Sequence, residues 1–300
     1  MKCRRSQVAR KGFHTMVQTV NKIRNILALA IAAARFACAC AACAQETAYD
    51  QFRAHNTEMA EVQPAWMGPL IQTDARLAQY ARISFSSEFT SAGTHTVNYG
   101  NSHTFGMIVN RHIQINFMAP PYLQNNSATA KDGFGDTIVQ GKFRIASGNA
   151  EHGNYAVTAV MAYGIPTGSY QNGAPTAAYC PEIAAGRMWR RFDVQTTLGG
   201  SLPAGKIAEQ GRSIDWNTTG QIRVGSKTWV DVEDNATFNY GGPFDGKTQN
   251  FLTPATMYAV RRKEWKPTHV FLILGVCMQI ATSSFHTYNH NLIPDARIVF

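Results

Sequence analysis

Between residues 216 and 240 the chain reads WNTTGQIRVGSKTWVDVEDNATFNY, and the pattern inside this stretch limits what the chain can fold into. Trp216, Thr218, Gly220, Ile222 and Val224 alternate with Asn217, Thr219, Gln221 and Arg223. After Gly225, Ser226 and Lys227 the alternation resumes, with Val230, Val232, Ala236 and Phe238 set against Asp231, Glu233, Asn235, Thr237 and Asn239. Successive side chains of a strand point to opposite faces, so this is a hairpin with one greasy face and one charged face. A soluble sheet buries the greasy face in a core. A transmembrane barrel turns it to lipid and lines a polar interior with the other.

Similar alternation recurs along the chain. It predicts strands near 77–89, 103–110, 112–119, 135–146, 154–166, 177–187, 191–202, 212–224, 228–240, 250–261, 268–281 and 290–300. Pro181 and Pro254 interrupt the sixth and tenth of these, and a proline lacks the N–H that a ladder needs. Most segments have the ~9–11 residues of a tilted membrane crossing. The connections fall into two groups. Tight turns are expected at Arg111, 147–153, 188–190, 225–227 and 262–267. Longer ones rich in Gly, Asn, Pro and Ser are TSAGTHTVNYGNS, PPYLQNNSATAKD, TGSYQNGAPTA, PAGKIAEQG and GGPFDGKTQ. Short turns on one rim and long loops on the other are the habit of outer-membrane barrels, and a sandwich has no reason to segregate them.

Aromatic placement points the same way. Trp189, Trp229 and Trp265 lie in or beside the tight turns, with Trp216 and Tyr240 toward the other rim, as in the girdles at lipid–water interfaces. The chain closes on LIPDARIVF, with Leu292, Ala296 and Ile298 in phase with the terminal Phe300. A terminal aromatic on an alternating last strand has the form of an assembly signal read by the barrel-assembly machinery. The fold expected is therefore all-β: an antiparallel transmembrane β-barrel of about twelve strands, with short periplasmic turns and long extracellular loops.

The first 44 residues carry eight of the 28 basic residues and no acid, so the net charge of +9 is concentrated there and the remainder is close to neutral. A nucleic-acid partner needs a basic surface, and that remainder offers no surplus for one. The same stretch has the form of a secretory leader: basic residues, then ILALAIAAA, then the small-residue run ACACAACAQ, with Ala42-Cys43-Ala44 before an expected mature start at Gln45. Nine apolar residues are too few for an N-terminal anchor crossing ~30 Å of hydrocarbon. Met16 is an alternative start. The expected organisation is a signal peptide at 1–44, a periplasmic lead-in at 45–70 and an outer-membrane barrel at 71–300, in a Gram-negative-type bacterium. Cys180 and Cys277 remain after the leader; two cysteines make neither a disulfide framework nor a zinc site.

Two adjoining stretches carry a resemblance. DGFGDTIVQGKFRIAS (132–147) and NYAVTAVMAYGIPTGSY (154–170) contain a Gly-x-Gly-Asp lead into a strand (Gly133 to Asp136), a basic strand centre (Lys142 and Arg144) and a Pro-Thr-Gly strand exit (Pro166 to Gly168). With RFDVQTTLGGSLPAG and FHTYNHNLI further on, the chain from about residue 65 resembles the outer-membrane family labelled MetA-pathway of phenol degradation. The resemblance implies a β-barrel with an uptake role linked to aromatic compounds, and it supplies no catalytic residues.

The phase of each strand assigns the lumen. Arg82, Glu88, Asp136, Lys142, Arg144, Arg191, Asp193, Asp215, Arg223, Asp231, Glu233, Asp295 and Arg297 are expected to face inward. A strongly selective ion pore carries a ring of one sign, whereas this mixture suits a neutral or amphipathic solute, or ion pairs that fill the interior. Arg144, Arg191 and Arg223 are candidates for stacking on an aromatic solute. Asp234 falls on the greasy face, which requires either a bulge after Glu233 or a position near the interface.

His286 and His290 in HTYNH have metal-pair spacing but sit in an expected loop without an acidic third ligand, so no metal or cofactor is expected. GFGD is not followed by a helix and makes a poor phosphate loop. Some twelve-stranded barrels are lipid hydrolases with Ser and His on the outer wall. The serines close in sequence to histidines here, Ser102 beside His103 and Ser284 near His286, lie in expected loops, so no enzyme is expected. The function expected is passage of small, mostly uncharged solutes, aromatic or phenolic ones among them. The partners expected are outer-membrane lipid, the assembly machinery through Phe300, and a small hydrophobic or aromatic solute. An envelope-structural or surface-binding barrel with a filled lumen is the alternative, and an outer-wall lipid hydrolase is a third reading.

Overall fold

The computed structural model describes residues 54, 58, 61–100, 102–127, 129–260 and 271–300. The leader, the expected start at Gln45, the turn at 262–267 and Trp265 lie outside the described residues.

Fifteen strands form one sheet: β1 (Tyr80–Phe89), β2 (His95–Tyr99), β3 (Thr104–Asn110), β4 (Ile113–Met118), β5 (Tyr122–Asn126), β6 (Gly133–Phe134), β7 (Thr137–Gly148), β8 (Tyr155–Ile165), β9 (Ala178–Trp189), β10 (Phe192–Pro203), β11 (Arg212–Val224), β12 (Thr228–Tyr240), β13 (Thr248–Val260), β14 (Phe271–Ala281) and β15 (His290–Val299). All pairs are antiparallel, and β15 returns to β1 from Tyr80↔Val299 to Phe89↔His290, so the wall closes. Closure removes the exposed edges that an open sheet would present. The closed wall has twelve strands. The other three, β2, β5 and β6, continue β3, β4 and β7 past short breaks at 100–103, 119–121 and 135–136, which lie side by side.

Each break has a local cause. Gly100 has φ +119, Pro120 and Pro121 lack ladder donors, and the Asp136 side chain turns away to accept the backbone N–H groups of Gly168 (2.9 Å) and Ala174 (2.6 Å). The stretches expected as long loops at 90–102 and 120–132 therefore contain strands. The connections on this rim shorten to 90–94, 127–132, 166–177, 204–211, 241–247 and 282–289. On the opposite rim the described turns are 111–112, 149–154, 190–191 and 225–227.

Both proline-bearing strands form. Pro181 pairs with Met161 on β8 while the β9–β10 ladder skips its position, and Pro254 pairs with Val232 on β12 while the β13–β14 ladder skips it. Pro294 behaves alike, paired with Val276 and passed over by β1. A missing N–H interrupts one side of a ladder and leaves the other side intact.

The wall's outer face is apolar. Phe143, Ile183, Leu198, Trp216, Val232, Leu274 and Ile298 are all exposed, while the residues between them are buried or half-buried in the interior. Phe192 and Leu198 face outward and Asp193 and Gln195 inward, the division expected from phase. Trp189, Trp216 and Tyr240 lie on the outer face, but Trp229 does not join a girdle: it shares phase with Asp231 and Glu233 and is buried in the lumen. Asp234 pairs in register with Thr218 and Leu252, so no bulge shifts it; it stays on the outer face, where Asn250 Nδ2 donates to it at 2.9 Å.

Candidate functional site: a plugged lumen

Residues 63–79, QPAWMGPLIQTDARLAQ, run through the barrel interior. The expected boundary between a lead-in and the barrel, at 70/71, falls inside this segment. Pro64, Pro69 and Gly68 prevent the segment from forming helix or strand, so its backbone polar groups need partners elsewhere. The wall supplies them. Arg297 donates to Gly68 O (2.8 Å) and Pro69 O (2.7 Å), and Arg82 donates to Leu70 O (2.6 Å). Lys142 Nζ donates to Asp74 O (2.7 Å) and Arg76 O (2.5 Å), and Thr158 Oγ1 to Ala75 O. Glu233 accepts the N–H groups of Leu70 (2.7 Å), Ile71 (3.0 Å) and Gln72 (3.0 Å). Gln221 accepts from Met67 N, Gln195 donates to Met67 O, and Gln114 accepts from Ala78 N. Side chains of eight strands hold the segment. Gln63 closes it on itself through both backbone groups of Leu77.

Apolar sockets complete the plug. Met67 and Leu70 pack against Trp229, Ala255, Met257, Ile273 and Ile293 of β12–β15, and Trp66 and Ala75 against Ala156, Val160, Ala184 and Met188 of β8 and β9. Two glycines make room. A Cβ at Gly186 would stand 2.9 Å from the Trp66 indole, and one at Gly275 would stand 3.0 Å from Leu70 Cδ2.

The lumen ions around the plug bind it or one another. Asp295 accepts from Arg82 Nε and from Arg297 Nε (2.8 Å), and the outer nitrogens of both guanidinium groups go on to the plug carbonyls. A buried ion without such partners costs several kcal/mol. Within the plug, Asp74 binds Arg76 (2.8 Å) and accepts from Trp66 Nε1 (3.1 Å). Burial alone would raise the Asp74 pKa. The Arg76 charge, its hydrogen bonds and the Lys142 ammonium outweigh burial and bring it down to about 2.

The expected lumen residues thus divide. Arg82, Lys142, Glu233, Asp295 and Arg297 meet around the plug. Asp193 and Asp231 act one step back, accepting from Gln195 (3.0 Å) and Gln221 (3.2 Å), the two amides that grip Met67. Asp215 accepts from Ser213 and Thr237 on neighbouring wall positions, away from the plug. Asp136 ties the β8–β9 loop instead of lining the lumen freely. Arg144 is buried and Arg223 half-buried toward the periplasmic ends of β7 and β11. Arg191 is exposed in the 190–191 turn, just before β10 begins at Phe192. Arg191 and Arg223 are neighbours, the Arg223 N–H donating to Arg191 O at 2.8 Å, while Arg144 lies on β7. His286 and His290 also separate: His286 is held by Ser283 O and Asn289, while His290 stacks on Phe89.

Beside the plug lies a cavity of about 1160 Å³. Its lining includes the amides Asn98, Asn116 and Gln140, the side chains of Met118, Leu123 and Ile138, and the charged residues Asp74, Arg76, Arg82, Asp136, Lys142 and Arg297. Its periplasmic end reaches Trp229, Ala259 and Phe271. The plug's own residues 63–76 carry no alternation. A signal was nonetheless present: the inward positions of β13–β15 are greasy (Ala255, Met257, Ala259, Ile273, Cys277 and Ile293), which a water-filled lumen has no use for.

No protein-family model matches the chain, and no curated protein matches its sequence. Among solved structures, the COG4313 outer membrane channel from Pseudomonas putida F1 is similar at a TM-score of 0.50 and 12% identity, over 80% of this chain and 100% of that one. The NanC porin is similar at 0.48 and 7%, over 74% and 99%, and OmpT, an outer membrane protein of Vibrio cholerae, at 0.33 and 8%, over 78% and 100%. The first of these likenesses shows a shared fold. Fold and site together define a twelve-stranded outer-membrane-type β-barrel whose lumen holds its own N-terminal segment.

Proposed function

We propose that this barrel sits in the outer membrane of a Gram-negative-type bacterium and passes small, mostly uncharged solutes through the space beside its plug. The observation that carries the reading is the lining of that space. Its charged lining residues Arg82, Lys142 and Arg297 are engaged with plug carbonyls and Asp74 with Arg76, and the amides of Asn98, Asn116 and Gln140 with aliphatic side chains make up much of the rest. A solute with a net charge would find little to compensate its lost hydration there, whereas a neutral molecule with one or two polar groups finds both kinds of contact. A preference for aromatic or phenolic solutes rests on the resemblance of 132–170 to the phenol-degradation family, and the solute would pair with amides, not with the three arginines considered from sequence. Proteoliposomes holding the full mature chain should admit phenol-sized neutral polar solutes faster than empty vesicles, and faster than acids or amines of equal size. Equal rates with and without protein would reject passage.

A second reading, an envelope-structural or surface-binding barrel, has one observation in its favour: the plug is bonded to eight strands. Vesicles that stay sealed, with no conductance in planar bilayers, would favour it. In either reading residues 1–44 serve as an export signal, with Gln-Glu-Thr-Ala as the expected N-terminal sequence of the mature chain, and the last strand with Phe300 serves as the mark for the assembly machinery. Phe300 stands 6.2 Å ring-to-ring from Phe105, which is on the outer face.

A further inference from the structure

Ser87, His95 and Asn126 come from three adjacent strands, β1, β2 and β5, and all face outward at their extracellular ends. Ser87 is in phase with exposed Phe85 and Phe89, His95 with exposed Tyr99, and Asn126 with exposed Tyr122. The register places His95 opposite Phe89 on one side and opposite Asn126 on the other, with Ser87 on the diagonal. Ser87 Oγ lies 2.7 Å from His95 Nε2, and Asn126 Nδ2 lies 3.5 Å from His95 Nδ1. The Phe89 ring stacks on the imidazole at 4.3 Å and 10°, which fixes the plane of the ring.

We propose that these residues form an acyl-ester hydrolase site for lipids on the outer wall, separate from any passage through the lumen. A nucleophile, a base within hydrogen-bond reach of it, and a third group orienting the base are what acyl transfer requires. With the Asn126 amide turned so that Oδ1 meets Nδ1–H, the imidazole keeps its lone pair on Nε2, toward Ser87. Position selects the substrate class. The site opens to the lipid side among Phe85, Phe89 and Leu292, where strands end at the level of the polar boundary. An ester between a fatty acyl chain and a polar alcohol presents its carbonyl at that level.

The step balances with water alone. His95 Nε2 takes the Ser87 proton as Oγ bonds to the acyl carbon; collapse of the adduct breaks the bond to the lipid alcohol, which receives that proton from His95. Water, deprotonated by His95, then attacks the acyl-serine, releases the fatty acid and restores Ser87. The sheet backbone is occupied by its own ladders, so no paired N–H donors await the oxyanion and slow turnover is expected. A covalent probe is therefore the first readout.

The full mature chain, refolded in detergent micelles and checked by heat-modifiable gel mobility, would be treated with a fluorophosphonate probe. It would also be assayed for fatty-acid release from a fluorescent phosphatidylcholine in mixed micelles. Labelling mapped to Ser87, with slow release, is expected. Ser87→Ala and His95→Phe (which keeps a ring against Phe89) should each lower both by at least about a hundredfold. Asn126→Ala should lower them and Asn126→Asp restore them. A folded wild-type protein that neither labels nor releases fatty acid overturns the proposal, as does undiminished labelling in folded Ser87→Ala.

Discussion

The Glu233 carboxylate on β12 stands 2.7 Å from the backbone nitrogen of Leu70, and it also takes the next two N–H groups of the plug. One inward side chain thus serves as the cap of a turn that the plug's own sequence cannot complete. Glu233→Gln keeps the volume and removes the charge from these three bonds. Hydrogen bonds to a charged group are worth about 1.5–3 kcal/mol, and each 1.4 kcal/mol is tenfold in population. Conducting events in planar bilayers should become about tenfold or more frequent in this variant, with barrel mobility on gels unchanged. An unaltered event frequency would mean that Glu233 does not hold the plug.

The lipid face gives a second expectation. Leu198 lies mid-strand on β10, exposed and flanked by Ile183 and Trp216. Leu198→Arg should cost about 2–4 kcal/mol in urea unfolding from liposomes if the site is near the bilayer midplane. Leu198→Ala should cost less than the ~2–5 kcal/mol of a packed core leucine, because lipid tails fill the space. A large loss in both variants would indicate a protein core instead of lipid around Leu198.

What was legible in the sequence followed from period-2 phase. All twelve wall strands and the inward or outward sense of Asp193, Leu198 and Glu233 follow from alternation alone, because a strand has no other way to place its side chains. Three kinds of feature were not legible. The plug lacks periodicity and is recognisable only through what surrounds it. Trp229 was assigned to a girdle from its place beside a turn, although its phase with Asp231 put it inside. Ser87 and His95 are eight residues apart and meet because β2 folds back within a stretch that reads as loop. Contacts made by folding back across a hairpin depend on register, which composition does not record.

Gly186 on β9 faces inward and leaves space that the Trp66 indole occupies. A leucine there would collide with a rigid ring, and the overpacking typically costs 1–3 kcal/mol. The plug can yield more readily than the twelve-stranded wall. Gly186→Leu should therefore raise conductance while leaving the barrel's thermal unfolding close to wild type, and Gly186→Leu combined with Trp66→Ala should return conductance toward the wild-type level. Loss of the folded barrel, with no gain in conductance, would show that the glycine serves the wall and not the plug.

Acid provides a route to plug release through Asp74. Its carboxyl is held at about 2 in the docked plug, against 3.8 ordinarily, by Arg76 and Lys142 acting against the cost of burial. A group whose docked value is depressed contributes stability that is fully present above about 3.8 and is lost as the pH falls through about 2. Conductance should therefore be low at neutral pH and rise between pH 4 and 2. Asp74→Asn removes the titrating group and the charge that Arg76 and Lys142 face, so its conductance should be raised already at pH 7 and flatter between pH 4 and 2. Other carboxylates that hold the plug, Glu233 among them, are also protonated as the pH falls, which is why the difference between the two proteins, and not the wild-type curve alone, isolates Asp74. If Asp74→Asn follows the wild-type curve throughout, the Asp74–Arg76–Lys142 cluster does not govern docking of the plug.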